Sequence, residues 1–417
     1  MSTFDIPHTA ILPLVMRISP NSVAFTALCG ALMAFPSMSI DVGLPAFDLM
    51  ADALKTEPST VALTLTTFLL GFSIAPLLYG PLSDRVGRRP VLIVGCGIYA
   101  IASIFCMLTG SIEHLLAWRL LQGMSAGAGP VLALSLIRDC HEGLKARTLL
   151  SSAAVFRTLG PMLAPSVGAL LMTIGGWRWV YGFMAVGSFA LFVTVLLFLP
   201  ETAPKQKKDG PRIGMIRSFA EILRNRAAFG NSMVLALNFG SHFSYVTGSS
   251  LVMISVFDVS PQGYALMFGI CGAGIMAASA LSTALNKRAF DPFKLVVTAA
   301  TASVLSMVVG VALSLAHLLT VEILGALLFV NAFSFGLLQP NVQQAALQPV
   351  AHVAGAASAL MNALIMGMGA LGSVIVKSLV DLGALSMTGT MLFFCTLTLV
   401  CVFWANRKAS AIAVVEA

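Results

Sequence analysis

Asp41, in "SMSIDVGLP", is the one acidic residue of this sequence placed well inside a long apolar run. A carboxylate at the centre of a hydrocarbon layer is unfavourable by about 2.5–3.5 kcal/mol, so it requires a partner, a proton or a wet cavity. Two chemistries are open to it. It is a structural group tied to neighbouring hydroxyls, or it alternates between protonated and ionised forms, since burial opposes its charge and a nearby cation restores it. Two cations stand in other apolar runs, Arg119 in "LLAWRLLQG" and Arg157 in "VFRTLG". A guanidinium does not deprotonate, so each is a fixed charge against which a carboxyl can titrate.

A second concentration of charge is "GPLSDRVGRRP", residues 80–90, with Asp84, Arg85, Arg88 and Arg89. Asp84 can pair with Arg88, and Arg88 can reach Asp139 in "IRDC". Such a cluster anchors a loop in water, or it latches two bodies that must part and rejoin. Uncharged candidates lie further on. Asn238, His242 and Tyr245 fall at i, i+4 and i+7, one helical face, and Asn331 and Phe335 precede Gln339 on another. Each is interhelical glue or a ligand contact, and His242 could supplement Asp41 as a titrating group. No nucleophile–base pair, phosphate-binding glycine loop or metal-ligand spacing is found, so neither an enzyme nor a metal or organic cofactor is expected.

The elements that must position these residues follow from composition. The chain has 417 residues, 58% hydrophobic and 10% charged, and a mean hydropathy of +0.93. That leaves too little polar surface to cover a soluble core, so lipid is the outer solvent. Apolar runs long enough to span it lie near 23–49, 59–82, 91–111, 114–137, 148–173, 178–199, 228–256, 262–285, 293–316, 319–346, 353–376 and 383–405. The expected class is an all-α integral membrane protein of twelve helices. The first run reads as a retained anchor. With the N-terminus inside, 19 of the 24 Lys and Arg fall in cytoplasmic segments, while Lys55, Arg178 and Lys377 fall outside and Arg119 and Arg157 lie in spans. The net charge of +7 therefore encodes topology, with both termini cytoplasmic, and does not advertise nucleic acid. The seven cysteines show no CxxC spacing and are expected to be packing residues.

The longest polar stretch, "PETAPKQKKDGPRIGMIRSFAEILRNR", reads as a linker, part of which, around 213–226, is expected to be an amphipathic helix on the membrane. It divides the chain into 1–200, a linker 201–226, and 227–417. A shift of 202 residues lays "STALNKRAFDP" on the charged loop, with Asn286 and Lys287 where Asp84 and Arg85 stand. Two parallel duplicated halves with a site between them are the usual build of a secondary transporter.

Several of these segments resemble one family. "GPLSDRVGRRP" is similar to the loop 2–3 signature of the major facilitator superfamily, "LLAWRLLQGMSAG" to its helix-4 arginine motif, and "LGPMLAPSVGALL" to the helix-5 motif of its exporters. "SIDVGLPAFDLM" and "GGWRWVYGF" resemble the twelve-helix drug:proton antiporters, and within them the bicyclomycin/chloramphenicol-resistance branch. The resemblance implies two pseudo-symmetric six-helix bundles, a charged-loop cluster that clasps them when the cavity opens outward, and proton coupling at Asp41. Where some antiporters carry a second acid, Met33 stands here, so one proton per cycle is the simpler expectation.

By depth, Asp41 and Arg119 sit roughly 12 and 8 Å below the outer surface at a rise of 1.5 Å per residue. Arg119 can pair with Asp41 or donate to span 1 carbonyls that Gly43 and Pro45 leave accessible. Arg157 pairs with Asp41 or a carbonyl, or contacts a polar or anionic substrate. The expected function is proton-coupled efflux of small amphipathic compounds by a monomer in a bacterial inner membrane, energised by the proton gradient. The alternative is a dedicated exporter of a polar or anionic metabolite or siderophore.

Overall fold

Many of the helices begin where the sequence supplies a side chain for the N–H groups that a first turn leaves free. Ser22 accepts from the Phe25 amide at 3.2 Å, Asn225 from Ala228 at 3.0 Å, Ser260 from Gly263 at 3.1 Å and Asp291 from Phe293 at 2.9 Å. Pro261 and Pro292 follow two of these caps, where a missing N–H costs nothing. In a computed structural model that describes residues 18–141, 143–202 and 215–406, every regular element among them is helical.

Twelve long helices are α1 (Val23–Leu54), α2 (Pro58–Val86), α3 (Arg88–Leu108), α4 (Ile112–Cys140), α5 (Gly143–Gly175), α6 (Arg178–Phe198), α7 (Arg226–Ser250), α8 (Pro261–Lys287), α9 (Pro292–Leu315), α10 (Val321–Val353), α11 (Ala354–Ser378) and α12 (Ala384–Ala405). Ten are apolar enough along their described length to cross a membrane; α5 and α7 are not among them. For α7 the reason is burial. Nineteen of its 25 residues are covered by neighbouring helices, so Gly, Ser and Asn replace the aliphatic side chains that lipid contact demands. Helices also outrun the apolar stretches: α4 continues to Cys140, because polar residues at its end still hydrogen-bond as helix, and α10 runs on to Val353 through a 3₁₀ segment kinked at Val350.

The packing repeats. In the first half α1 lies on α5, α2 on α4 and α3 on α6; in the second, α7 lies on α11, α8 on α10 and α9 on α12. The halves meet where α2 packs on α11 and α5 on α8, contacts that exchange under the same pseudo-symmetry. These are the two six-helix bundles. The shift that lays Asp84 on Asn286 also lays Asp139 on Asn341, and Asn286 Nδ2 donates to Asn341 Oδ1 at 2.7 Å. An uncharged bridge in one bundle thus stands where the other has an ionic one.

The linker helix Met215–Arg224 falls within the expected region, yet it is not free on the lipid surface. Phe219 and Ile222 pack with Val350, Val353 and Ala357 of the second bundle, and Glu221 meets His352 Nε2 at 2.7 Å. The end of the molecule bearing this helix and the 84–89 loop is termed the linker face below.

Candidate functional site

A broken helix sets the site. The α-helical part of α1 ends at Asp41, and a short 3₁₀ turn, Leu44–Ala46, follows before helix resumes at Phe47. Pro45 has no N–H to offer the carbonyl four residues back, that of Asp41, so the α-helical ladder stops here. The Val42 amide makes the ordinary helical bond to the Met38 carbonyl at 3.1 Å, and the Ser39 carbonyl accepts from both terminal nitrogens of Arg119 at 3.5 Å. The helix-5 motif is what lets another helix approach this break. A Cβ on Gly168 would strike the Val42 carbonyl, and one on Gly160 would lie 3.0 Å from that of Ala34.

Between the bundles lies a cavity of about 310 Å³. Asp41 and Ser37 of α1 form part of its wall, facing His242, Tyr245 and Phe239 of α7, Phe335, Gln339 and Gln343 of α10, and Asn362 of α11. Among the described lining residues Asp41 is the only charged one. It is 5% exposed, and no ion pair joins it to any described cation. The His242 ring stacks on Phe335 at 4.5 Å and Tyr245 stacks on Phe268 at 5.5 Å, so both polar rings are held by aromatic packing. The wall opposite the carboxyl is thus deformable, aromatic and dotted with amides.

Of the two contacts open to Arg119, Asp41 or span 1 carbonyls, the second is present. Arg119 is 2% exposed, within the first bundle, and donates to Ser39 and Thr64 carbonyls and to Gln122 Oε1 at 2.6 Å. Its guanidinium lies over the Phe68 ring, 4.5 Å from the centroid. Carbonyl dipoles and an aromatic face, rather than a carboxylate, solvate the charge. The helix-carbonyl alternative describes this geometry.

The second-bundle candidates divide. His242, Tyr245, Phe335 and Gln339 line the cavity. Asn331 does not: its Nδ2 donates to Cys395 Sγ at 3.4 Å inside the bundle. Asn238 is buried off the wall, its amide nitrogen without a partner among the described residues. The side chain of Arg157 lies outside the described residues. Sequence reasoning missed Ser37, Gln343, Ser358 and Asn362. A signal existed: Ser37/Asp41, Gln339/Gln343 and Ser358/Asn362 are all polar pairs one helical turn apart on apolar spans.

At the linker face Arg88 is the hub of the charged loop. Its Nε donates to Asp139 Oδ2 at 2.9 Å and its Nη1 to Asp84 Oδ1 at 2.5 Å and Ser83 Oγ at 2.7 Å. The Glu201 carboxylate accepts from the Arg88 amide at 2.9 Å and the Arg89 amide at 3.2 Å, capping α3 where its positive dipole end lies. Gly87, at φ +106°, makes the turn, and a Cβ there would collide with Glu201. Arg85 is exposed, and Arg89 Nη2 donates to the Leu196 carbonyl at 2.8 Å. Asp84 remains half exposed, and no contact with α11 is among its described bonds. Gly80 of α2 and Gly355 of α11 face open space. At the opposite end the Leu44–Ala46 turn packs on α7 and α8. The cavity wall thus runs towards the linker face, to Leu134 of α4 and Ser358 of α11, while at the other end the two bundles are in contact.

The family model described as Major Facilitator Superfamily matches residues 26–373. An MFS-type transporter of Bacillus subtilis (strain 168), YdgK, is 30% identical over 89% of this chain and 95% of its own length. Multidrug resistance protein D of Escherichia coli (strain K12) is 28% identical over 80% of this chain and 83% of its own. A bicyclomycin resistance protein homolog of Haemophilus influenzae is 25% identical over 88% of this chain and 93% of its own.

Proposed function

The chain belongs to the major facilitator superfamily, and from that premise we propose that it exports small amphipathic compounds, drugs among them, in exchange for protons. The observation that carries this reading is the lone carboxyl of Asp41 on an otherwise uncharged described wall of a cavity between two bundles. A carboxyl that meets an uncharged wall in one state and water or a cation in another can take up and release a proton. Any rearrangement that wets it or brings a guanidinium near favours release of the proton. Relatives named for multidrug and bicyclomycin resistance support the substrate class, and so does the aromatic wall.

The distribution of Lys and Arg supports a cytoplasmic linker face and cytoplasmic termini, so the open cavity would load from the cytoplasm of a bacterial inner membrane. The rocking bodies of this reading are 1–200 and 227–417 joined by 201–226, working within one monomer. Substrates that are neutral or cationic suit the wall better than anions, since no described lining residue is a cation. An anion exporter would instead depend on Arg157, whose position on α5 is one turn before the lining residue Pro161.

One experiment tests the proposal. Purified protein in unbuffered detergent is exposed in turn to lipophilic cations, phenicols and organic anions while proton release is followed. Release on binding of cations or phenicols, absent from Asp41→Asn, is expected. Release that persists in the variant would move the coupling site away from Asp41, and release with anions alone would favour the metabolite exporter.

The charged loop fits a latch. When the linker ends of α2 and α11 close, Asp84 is free to leave water for the N-terminus of α11 and its positive dipole end. Asp84→Asn is expected to weaken the closed state and raise labelling of a Ser358→Cys probe on the cavity wall about two- to five-fold. Equal labelling with and without the substitution would reduce the loop to an anchor.

A further inference from the structure

We infer that Tyr99 and Ser39 are positioning residues for Asp41, holding the Arg119 charge on the α1 backbone and off the carboxyl while the cavity is open. The inference rests on the reading of Asp41 as the proton site.

A ring of five residues joined by hydrogen bonds carries it, closing through the backbone and side chain of Tyr99 and of Ser39. Arg119 donates to the Ser39 carbonyl and to Gln122 Oε1; Gln122 Nε2 donates to Ser103 Oγ at 2.6 Å; Ser103 Oγ donates to the Tyr99 carbonyl at 2.7 Å. The Tyr99 hydroxyl then donates to the Ser39 hydroxyl, which donates to the Phe35 carbonyl at 2.9 Å. Ser39, Tyr99, Ser103, Arg119 and Gln122 are all buried. Every polar atom named has a partner, so the ring is a rigid unit rather than a set of alternatives.

The ring closes on Ser39, which is held twice, at its carbonyl from α4 and at its hydroxyl from α3. It stands two residues before Asp41, on the helical side of the break. The grip therefore fixes the last helical turn of α1 against α3 and α4, and the pivot falls at 41–43. It also occupies the guanidinium. Arg119 is spent on Ser39, Thr64 and Gln122, and no ion pair reaches Asp41.

Groups that face or can reach Asp41 are His242 and Tyr245 from α7, Tyr264 and Cys271 from α8, and Arg119 from α4; the side chain of Arg157, on α5, lies outside the described residues. Of the described groups only Arg119 is a permanent cation. If the hydroxyl grip is lost, the Ser39 carbonyl shifts and the guanidinium can turn to the carboxylate two residues on. An opposite charge in contact favours the ionised acid.

The test needs no substrate. The carboxyl C=O stretch of Asp41 is followed by infrared difference spectroscopy of the full-length protein at pH 7, and assigned by its absence in Asp41→Asn. Tyr99→Phe and Ser39→Ala are each expected to lower its intensity about two-fold or more. Adding Arg119→Gln to Tyr99→Phe is expected to restore it, which a merely structural role for Tyr99 would not do. Should Tyr99→Phe fail to fold, Ser39→Ala alone decides. Undiminished intensity in the folded variants overturns the positioning role while leaving Asp41 as the proton site. A wild-type protein with no band attributable to Asp41 at any pH overturns that reading and the inference together.

Discussion

Asp41→Asn is expected to abolish uphill export while sparing downhill exchange. In liposomes with an imposed pH gradient, one proton per cycle sustains about a tenfold substrate gradient for each pH unit, since 1.4 kcal/mol is a factor of ten. The amide has the shape of the protonated acid and cannot ionise. The variant should bind substrate and exchange it across the membrane, yet accumulate none. Its steady-state accumulation should fall from about tenfold per pH unit to none. Asp41 makes no ion pair to a described residue and lines the cavity, so the substitution leaves no described cation unpaired and the fold should survive. Accumulation by the variant at wild-type level would remove Asp41 from the coupling mechanism. Loss of binding as well as accumulation would instead make it a substrate contact.

The second large effect is expected from packing. Gly168→Val places a branched side chain where α5 crosses the broken segment of α1, and its Cβ alone would overlap the Val42 carbonyl. The obstacle is backbone, and Pro45 stands behind it, 3.5 Å from the same position. Neither can rotate away as a side-chain tip would, so the helices must separate. Overpacking of this kind costs about 1–3 kcal/mol. A lower thermal unfolding midpoint in detergent is expected, together with loss of transport, because the displaced segment carries Asp41. Gly367→Val in α11 serves as the control, since nothing lies within 4 Å of its Cβ position and its backbone is helical. A Gly168→Val protein that unfolds at the wild-type temperature would mean that α1 and α5 have room to part.

Why the helix-5 motif carries glycines is visible only with α1 in place. In the sequence, "LGPMLAPSVGALL" suggests a loosened helix; in the structure its Gly160 and Gly168 are points of close approach to carbonyls of α1. Arg119 teaches the same lesson. Equal depth makes a contact with Asp41 plausible, but depth is one coordinate of three. The direction of each side chain around its helix decides that Arg119 meets Ser39 and Gln122 inside the first bundle while Asp41 faces the cavity. Asn331 and Phe335 show the same division within one helix. They are a turn apart, yet one reaches Cys395 in the bundle and the other lines the cavity.

The sequence by itself determined the solvent, the number of spans and the duplication, because each depends on properties summed along the chain: hydropathy over about 20 residues and the alternation of basic loops. It also identified Asp41 and the 84–89 loop, since a charge in hydrocarbon or a cluster in a charge-poor chain is conspicuous without neighbours. The tertiary structure alone decided which polar residues share a cavity, which helix each glycine admits, and that Arg119 is held on a carbonyl. Those outcomes depend on rotations and crossings of helices from distant parts of the chain, and a one-dimensional pattern fixes only the spacing along each helix.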